Sequence, residues 1–416
     1  MKIQLPFLKV ISIICLSIFI LLLNCSPDVE FQTMEVEPPL TDVLTLELAF
    51  GDENTIDDYD FLLAKPGYYI TVNSRNEILV IDELKIKVYD GSGKGIKIFG
   101  GRGQGPGEFI RPMFIWTGPT DYITVFGGTT LYNGTLHYFK PDFSFINRKM
   151  YDKDFNIYKM AISAQNSDLR PCMPEQVIQL NETERIIIFD AEQIQRAGMR
   201  EQKYHREVFL FYEKADTLLT LAHYVQSNFI PETGTFRISD LGWLEADYLP
   251  DNRFVFIHSF HDSRIGSSDA DYTLTILSLD TMKKTFITHW FKPVELDWVP
   301  YEYPEEEKKK YPGEYKRSLE QAKKRKDFNA ERKYKAALQE LLTDGNYIFA
   351  FTHFVNENNE TLADIFDAVE GKYLHSAYFS VIPTVIKNGY GYRVGRNSEG
   401  FSVIEKYKIN PAVYRK

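Results

Sequence analysis

Short apolar and aromatic stretches, each followed by a cluster of polar turn residues, recur along most of the chain. The first five predicted strands are residues 43–50, 68–72, 78–82, 85–89 and 96–99. The clusters Asn-Ser-Arg-Asn (73–76) and Asp-Gly-Ser-Gly (90–93) separate two pairs of these strands. Asn, Asp and Gly adopt the positive φ that tight hairpin turns require. Antiparallel strands this close together along the chain are typical of one blade of a β-propeller.

Similar units recur along the rest of the chain. They combine residues 122–125 with 136–139, 185–189 with 208–212, 253–258 with 272–279, 347–353 with 363–367, and 384–386 with 389–394 and 403–409. The 26 Tyr and 30 Phe residues suit strand faces that pack against neighbouring blades. Together with the first unit, the pattern predicts an all-β, six-bladed β-propeller over residues 41–416.

The segment from about residue 302 to 342 departs from this pattern, because Lys, Arg, Glu, Ala and Leu dominate it and β-branched residues are absent from it. Apolar residues at 319, 322, 328, 334, 338 and 341 form an imperfect stripe that is typical of a helix. We therefore predict an α-helical insertion that lies across one rim of the propeller. A basic docking surface for an anionic partner is the alternative, but Glu314 and Glu331 are among the acidic residues that reduce the positive charge.

The first 24 residues have the layout of a secretory signal peptide. Lys2 and Lys9 lead into an apolar run over residues 10–23, which is followed by Asn24 and Cys25. As a helix this run reaches about 21 Å, which is short of the roughly 30 Å hydrocarbon core of a bilayer. The N-terminus therefore predicts export rather than a permanent transmembrane helix.

Leu22-Leu23-Asn24-Cys25 resembles a bacterial lipobox, in which the peptide is cut before a cysteine that carries acyl chains. Asn24 departs from the Gly, Ala or Ser usual at that position, so ordinary cleavage or an uncleaved anchor are the alternatives. Cys25 is the predicted lipidation site, and residues 25–40, rich in Pro and acidic residues, are the predicted flexible tether. The lipid would hold the protein to the outer membrane or to the periplasmic face of the inner membrane.

Charge and cysteine content narrow the class of partner. A net charge of −10 argues against a general nucleic-acid binder, which carries a basic surface. Loss of the signal peptide and acylation of Cys25 would leave Cys172 as the one remaining thiol, so no internal disulfide is predicted.

The segment 87–112, KVYDGSGKGIKIFGGRGQGPGEFIRP, resembles the NHL-repeat-like, six-bladed propeller family of exported bacterial proteins. Residues 383–414 are similar to the last blade of such proteins, and 43–51 to their opening strand. The resemblance implies that the opening strand joins the last blade and closes the ring. It also implies that Phe109 fills the gap between two blades.

Motifs for cofactor chemistry are absent from the sequence. No metal-binding spacing of His, Cys or acidic residues occurs, and the glycine-rich loop lacks the spacing and the following helix of a nucleotide site. We therefore expect no cofactor. The best local cluster is His258, His261 and Asp262, at the end of a predicted strand, where these residues could reach the central channel. A polar loop without function is the alternative.

These observations favour a binding protein of the cell envelope, anchored to a membrane through lipid, whose propeller holds an unidentified protein, peptide or glycan. The alternative is a lyase or hydrolase acting in the channel, because the family that the chain resembles includes enzymes with His and acidic residues there. No catalytic signature in the sequence supports the enzyme, so His258, His261 and Asp262 are its only local candidates.

Overall fold

The computed structural model describes residues 37–130, 133–150, 154–193, 202–215, 217–230, 238–239, 242–266, 270–296, 304–328, 330 and 332–415. The predicted signal peptide (1–24), Cys25 and most of the predicted tether (25–40) lie outside the described residues. The chain divides into two units, Met1–Pro38 and Pro39–Lys416. Every element given below belongs to the second unit.

The second unit is a six-bladed β-propeller, in which each blade is an antiparallel sheet. Blade 1 consists of β2 (Pro66–Val72), β3 (Ile78–Asp82), β4 (Lys85–Tyr89) and β5 (Gly95–Gly100), and blade 2 of β6 (Pro112–Thr117), β7 (Ile123–Thr130), β8 (Asn133–Phe139) and β9 (Phe145–Met150). Blade 3 consists of β10 (Leu169–Gln179), β11 (Glu184–Gln193), β12 (Gln202–Lys214), β13 (Thr217–Ile230) and β14 (Ile238–Ser239).

The remaining blades follow the same order. Blade 4 consists of β15 (Leu244–Leu249), β16 (Arg253–His258), β17 (Ser263–Arg264), β18 (Asp271–Ser278) and β19 (Lys284–Trp290), and blade 5 of β20 (Leu338–Asp344), β21 (Tyr347–Val355), β22 (Thr361–Asp367) and β23 (Lys372–Phe379). Blade 6 consists of β24 (Val385–Lys387), β25 (Tyr390–Arg396), β26 (Ser402–Ile409) and β1 (Leu44–Phe50). The first strand of each sheet, namely β2, β6, β10, β15, β20 or β24, is its inner strand and lines the central channel.

The N-terminal strand closes the ring. β1 pairs antiparallel with β26, so that Leu44 lies opposite Ile409 and Phe50 opposite Ile404. The predicted closure is therefore confirmed, and it covers a sheet edge that would otherwise be open to pairing with other chains.

Apolar cores fill the spaces between blades, as the aromatic content predicts. Phe109 is fully buried between Leu79 of blade 1 and Val125 of blade 2. Gly100 has a φ of 79°, and a Cβ at this position would overlap the Phe109 ring. The loop therefore needs glycine here, and the prediction that Phe109 fills the gap between two blades is confirmed.

Three α-helices lie outside the blades in the described residues: α1 (Asn156–Gln165), α2 (Glu305–Lys310) and α3 (Pro312–Phe328). Two short 3₁₀-helices span Tyr59–Phe61 and Pro411–Tyr414. The helical insertion predicted over 302–342 is wrong at its C-terminal end, because residues 338–342 belong to the inner strand β20. Leu, Gln and Glu have a high intrinsic helix propensity, but burial of this segment between blades 4 and 6 favours a strand instead. α1 was not predicted. It packs Tyr158 and Ile162 into the core between blades 2 and 3.

The inner strands give the channel two ends, which we call the entry end, where these strands begin, and the turn end, where they lead into hairpin turns. At the turn end, side chains of one blade bind turn residues of the next. Ser74 donates from its backbone N–H and its hydroxyl to Asp121, at 2.7 and 2.5 Å. The N–H groups of Asn388 and Gly389 donate to Asp344, each at 2.7 Å. Further links between blades run from Thr120 to the Leu180 carbonyl, from Arg253 to Ala368 and Asn346, and from Asn388 to Asn76.

Candidate functional site

Three inner strands carry a glutamate at the same position. Glu175, Glu245 and Glu340 each lie four residues before the last residue of β10, β15 and β20. These strands are the inner strands of the consecutive blades 3, 4 and 5. The shared position brings the three carboxylates together in the channel. Burial raises the pKa of Tyr69 on β2, and each of the three carboxylates raises it further.

Among the described residues, Glu175 is the one glutamate of the three with a cationic partner. Arg206 of β12 donates from Nη2 to Glu175 Oε1 at 2.7 Å, and it also binds Asp190 of β11. The Arg206 guanidinium lies 5.5 Å from the ring centre of Trp243. Trp243 is 49% exposed, so this ion pair lies under an aromatic side chain that solvent reaches.

Burial raises the pKa of Glu245 well above its usual range, and the carboxylates of Glu340 and Glu175 raise it further. Burial likewise raises the pKa of Glu340 to about 7, with a second contribution from Asp247. Among the described residues, no hydrogen-bond donor reaches the Glu245 carboxylate. These carboxyl groups therefore hold their protons to a higher pH than exposed carboxyl groups do, and Glu340 exchanges its proton near neutral pH.

Aromatic residues of blade 2 support the ring of Tyr69, which lies on the inner strand across the ring from blade 4. Tyr69 of β2 is 46% exposed, and its ring lies 4.6 Å from that of Phe114 on β6 in an edge-on contact. The Phe114 ring in turn stacks on Trp116 at 5.7 Å. Tyr69 therefore presents a ring supported by a second aromatic layer to a space edged by three glutamates.

Asp247 connects this cluster to the neighbouring blade. It lies two residues after Glu245 and accepts hydrogen bonds from the N–H and the hydroxyl of Thr343, at 2.8 and 2.9 Å. Because Thr343 lies three residues after Glu340, these bonds fix the relative positions of β15 and β20. Two of the three glutamates therefore belong to strands held in register by hydrogen bonds.

The structure brings the predicted residues His258, His261 and Asp262 together on β16 and the turn that follows it, one strand out from the inner strand β15. The rings of His258 and His261 lie 4.4 Å apart. Tyr224 of blade 3 contacts both rings and donates from its hydroxyl to Asp262 at 2.7 Å. A role for these three residues in the channel stays a prediction.

His258 has a local structural role in this turn. Its Nδ1 accepts the N–H groups of Phe260 and His261, at 3.3 and 3.2 Å, and its own N–H donates to Asp262 at 2.8 Å. Burial, together with nearby His261, lowers the pKa of His258 to about 3. An imidazole that is neutral and accepts at Nδ1 stabilises the turn.

The remaining sequence predictions have simple outcomes. The predicted lipidation site, Cys25, lies outside the described residues, and Cys172 is a buried thiol on β10. In the described part of the chain, no group of three or more His, Cys, Asp or Glu residues could hold a metal ion. None of the described helices has the length and apolar character needed to span a membrane.

The sequence analysis did not identify the three glutamates, although they share one position relative to the turn that follows each strand. A turn begins directly after each of these strands, at Leu180, Pro250 or Gly345. Each glutamate lies five residues before that position. Alignment of the blades on these turns would have placed the glutamates in one column. The incorrect helical prediction for residues 338–342 concealed that column.

Comparison with known proteins identifies no family for this chain. No protein-family model and no curated protein matches the sequence. A Bacteroides fragilis protein named as exported aligns over 90% of this chain and 98% of its own, with 10% identity and a TM-score of 0.42. A polysaccharide lyase aligns over 82% and 76%, with 8% identity and a TM-score of 0.37. An uncharacterized Listeria monocytogenes protein aligns over 82% and 79%, with 7% identity and a TM-score of 0.33.

Proposed function

We propose that this chain is a lipid-anchored binding protein of the cell envelope, whose propeller takes a positively charged ligand in the channel. The observation that carries the binding proposal is the convergence of Glu175, Glu245 and Glu340 on Tyr69. These residues come from four of the six inner strands.

The sign of the charge on the ligand follows from the electrostatics. Like charges close together in a partly buried space destabilise one another. Arg206 compensates Glu175, but Glu245 and Glu340 make no ion pair with a described residue. An ammonium or guanidinium group between them would remove this repulsion, and the exposed face of Tyr69 adds a cation–π contact.

Calorimetric titration tests the binding proposal with two cations, agmatine and choline, and with dimethylbutanol as the neutral analogue of choline. We expect at least one cation to bind more tightly than dimethylbutanol. The double variant Glu245→Gln, Glu340→Gln should weaken cation binding by about tenfold or more, because it removes two carboxyl groups that would ionise beside a bound cation. Glu357→Gln, at an exposed glutamate of blade 5, is the matched control and should bind as the wild type does. Equal binding by the double variant and the wild type would refute the site.

The envelope anchor rests on the N-terminal sequence. The apolar run over 10–23 ends directly before Asn24 and Cys25, as expected for a signal peptide that is cut in front of an acylated cysteine. Intact mass and membrane fractionation of the wild type and of Cys25→Ala test this proposal. We expect acylated wild type in the membranes and unmodified variant in the soluble fraction. Unmodified, soluble wild type would show that Asn24 abolishes the lipobox.

We further propose that this propeller belongs to the NHL-repeat-like family. It is supported by the glycine-rich segment 87–112, where Phe109 fills the gap between two blades, and by closure of the ring through β1. Internal alignment of the six blades tests it, because true NHL-like repeats should share this loop in more than one blade.

A channel-site lyase or hydrolase is the second candidate, and the titration of Glu340 favours it. A carboxyl group with a pKa of about 7 can donate or accept a proton near neutral pH, as general acid–base catalysis requires. Tyr69 would be the second group in reach of the substrate. Release of nitrophenol from nitrophenyl glycosides, or of unsaturated products from an acidic polysaccharide, would support the enzyme if Glu340→Gln abolished the activity. Activity unchanged in that variant would exclude Glu340 as the acid or base.

A further inference from the structure

Trp243 lies directly before the inner strand β15, at the entry end of the channel, and its side chain is 49% exposed. Its carbonyl accepts the N–H of Ser259 at 2.9 Å, and its own N–H donates to the Ser259 hydroxyl at 2.9 Å. Ser259 is fully buried, and its carbonyl accepts the N–H of Ala337 on the segment that leads into β20. The backbone that carries this exposed ring is therefore fixed before any ligand enters, which lowers the entropic cost of binding.

The alternation of side chains along β15 places the ring on the same side of the strand as a glutamate of the channel site. The hydrogen bonds to Ser259 continue the pairing of β15 with β16, in which Leu244 lies opposite His258. Leu244 and Ala246 fill the core between blades 3 and 4. Trp243 and Glu245 therefore share the other side of β15, with about 7 Å between their Cα atoms.

The Trp243 ring also lies close to Glu175, the glutamate of blade 3. Arg206 connects the two, because its guanidinium binds Glu175 and lies 5.5 Å from the centre of the ring. A ligand cation on this ring would lie close to the guanidinium, and like charges repel. An uncharged aromatic ring avoids this repulsion and gains from stacking against the indole. Trp243 therefore suits an uncharged part of the ligand.

Two parts of the channel thus favour two parts of one molecule. Glu245 and Glu340 ionise readily beside a bound cation, and Tyr69 adds a cation–π contact. One step closer to the entry end, Trp243 offers an aromatic surface to whatever extends from that cation. The complementary ligand has a positive charge at one end and an aromatic ring at the other, with a short chain between them.

We propose that the channel binds an arylalkylamine, with its ammonium group between Glu245 and Glu340 and its ring against Trp243. This inference rests on the proposed cation site. It adds the part of the ligand that the three glutamates do not define.

Calorimetric titration of the full chain in detergent tests the inference with phenethylamine and with ethylamine, which has the same charge but no ring. We expect phenethylamine to bind about tenfold or more tightly than ethylamine, because one aromatic ring is stacked and removed from water. The double variant Glu245→Gln, Glu340→Gln should weaken binding of both amines.

Trp243→Ala should weaken phenethylamine binding by about tenfold and leave ethylamine binding unchanged, which a general loss of structure would not do. Trp243→Phe retains a ring and should keep most of the preference for phenethylamine. Trp290→Ala is the matched control, at a tryptophan of the outer strand β19 that is 59% exposed. It should bind both amines as the wild type does.

The outcomes separate this inference from the cation site on which it rests. Equal affinity of the wild type for the two amines, or unchanged phenethylamine binding by Trp243→Ala, would overturn the inference. In that case the cation site would stand if the double glutamate variant still weakened binding of both amines. Binding of neither amine by the wild type would refute the cation site and the inference together.

Discussion

Carboxylates at the turn end of the propeller lie beside hydrogen-bond donors, whereas Glu245 and Glu340 at the channel site lie beside other carboxylates. Asp344 accepts hydrogen bonds from two backbone N–H groups and, at 2.8 Å, from the Tyr414 hydroxyl. Glu245, in contrast, lies next to Glu340 and Glu175, and the pKa values of all three are raised. The same chemical group therefore stabilises one region and destabilises the other.

This difference separates structural from functional acidic residues in one molecule. A buried carboxylate that receives backbone N–H groups satisfies donors that would otherwise be unpaired. A group of carboxylates without compensating donors lowers stability, and such arrangements are concentrated at functional sites. The burial of acidic residues alone would not have distinguished the two regions.

Asp344→Ala should have the largest effect, because it leaves the N–H groups of Asn388 and Gly389 without their acceptor and removes this polar link between blades 5 and 6. We expect the free energy of unfolding to fall by about 4 kcal/mol, since each unsatisfied buried group costs about 1 to 3 kcal/mol. Urea denaturation measures it. Glu357→Ala, at an exposed glutamate of the same blade, should change it by less than about 0.5 kcal/mol. A loss below about 1 kcal/mol in Asp344→Ala would contradict a structural role for this carboxylate.

Glu340→Gln should raise the free energy of unfolding, by less than Asp344→Ala lowers it. Because the pKa of Glu340 is raised from 4.5 to about 7, the folded chain retains a proton that the unfolded chain loses as the pH rises above 4.5. Its contribution to stability is therefore full below pH 4.5 and is lost as the pH rises to about 7. At about pH 8 the variant should be more stable than the wild type by up to about 3 kcal/mol. Urea denaturation at acidic and alkaline pH checks this, and a variant that is less stable at alkaline pH would break the comparison.

Asp121→Asn should have the smallest effect. Asp121 has a φ of 64°, which Asn tolerates, so the backbone is not strained by the change. The amide oxygen still accepts the Ser74 N–H, but the bond from the Ser74 hydroxyl loses its charged acceptor. We expect a loss of about 1 kcal/mol in the free energy of unfolding. A gain in stability would mean that charge at the turn end is as unfavourable as at the channel site.

The sequence carried enough information for the architecture, because turn clusters and apolar stretches repeat at the scale of one blade. It also identified the closing strand and the position of Phe109, which are local features of the glycine-rich segment and of the two ends of the chain. The strand over Leu338–Asp344 was missed because its helix-favouring residues form a strand only when neighbouring blades enclose them.

The channel site was harder to predict, because it depends on residues from different blades that share one position. His258 was a candidate channel residue because it is one of two closely spaced histidines. In the structure, its Nδ1 accepts N–H groups of its own turn. Glu340 lay in the segment assigned to the helix. The residues next to Glu175 and Glu245 in the sequence form no motif. The cluster arises only because the fold brings the inner strands β10, β15 and β20 together around the channel.

Closure through β1 also has a consequence for the order of folding. Among the described strands, β1 is synthesised first and β26 last, yet the two form adjacent strands of blade 6. Until β26 emerges from the ribosome, β1 lacks its partner strand and the ring remains open, with blades 1 and 5 each exposing an apolar face. Contacts between distant parts of a chain slow folding, and an exposed strand edge favours aggregation. A nascent chain of this protein therefore needs protection from other unfolded chains until its final strand has formed.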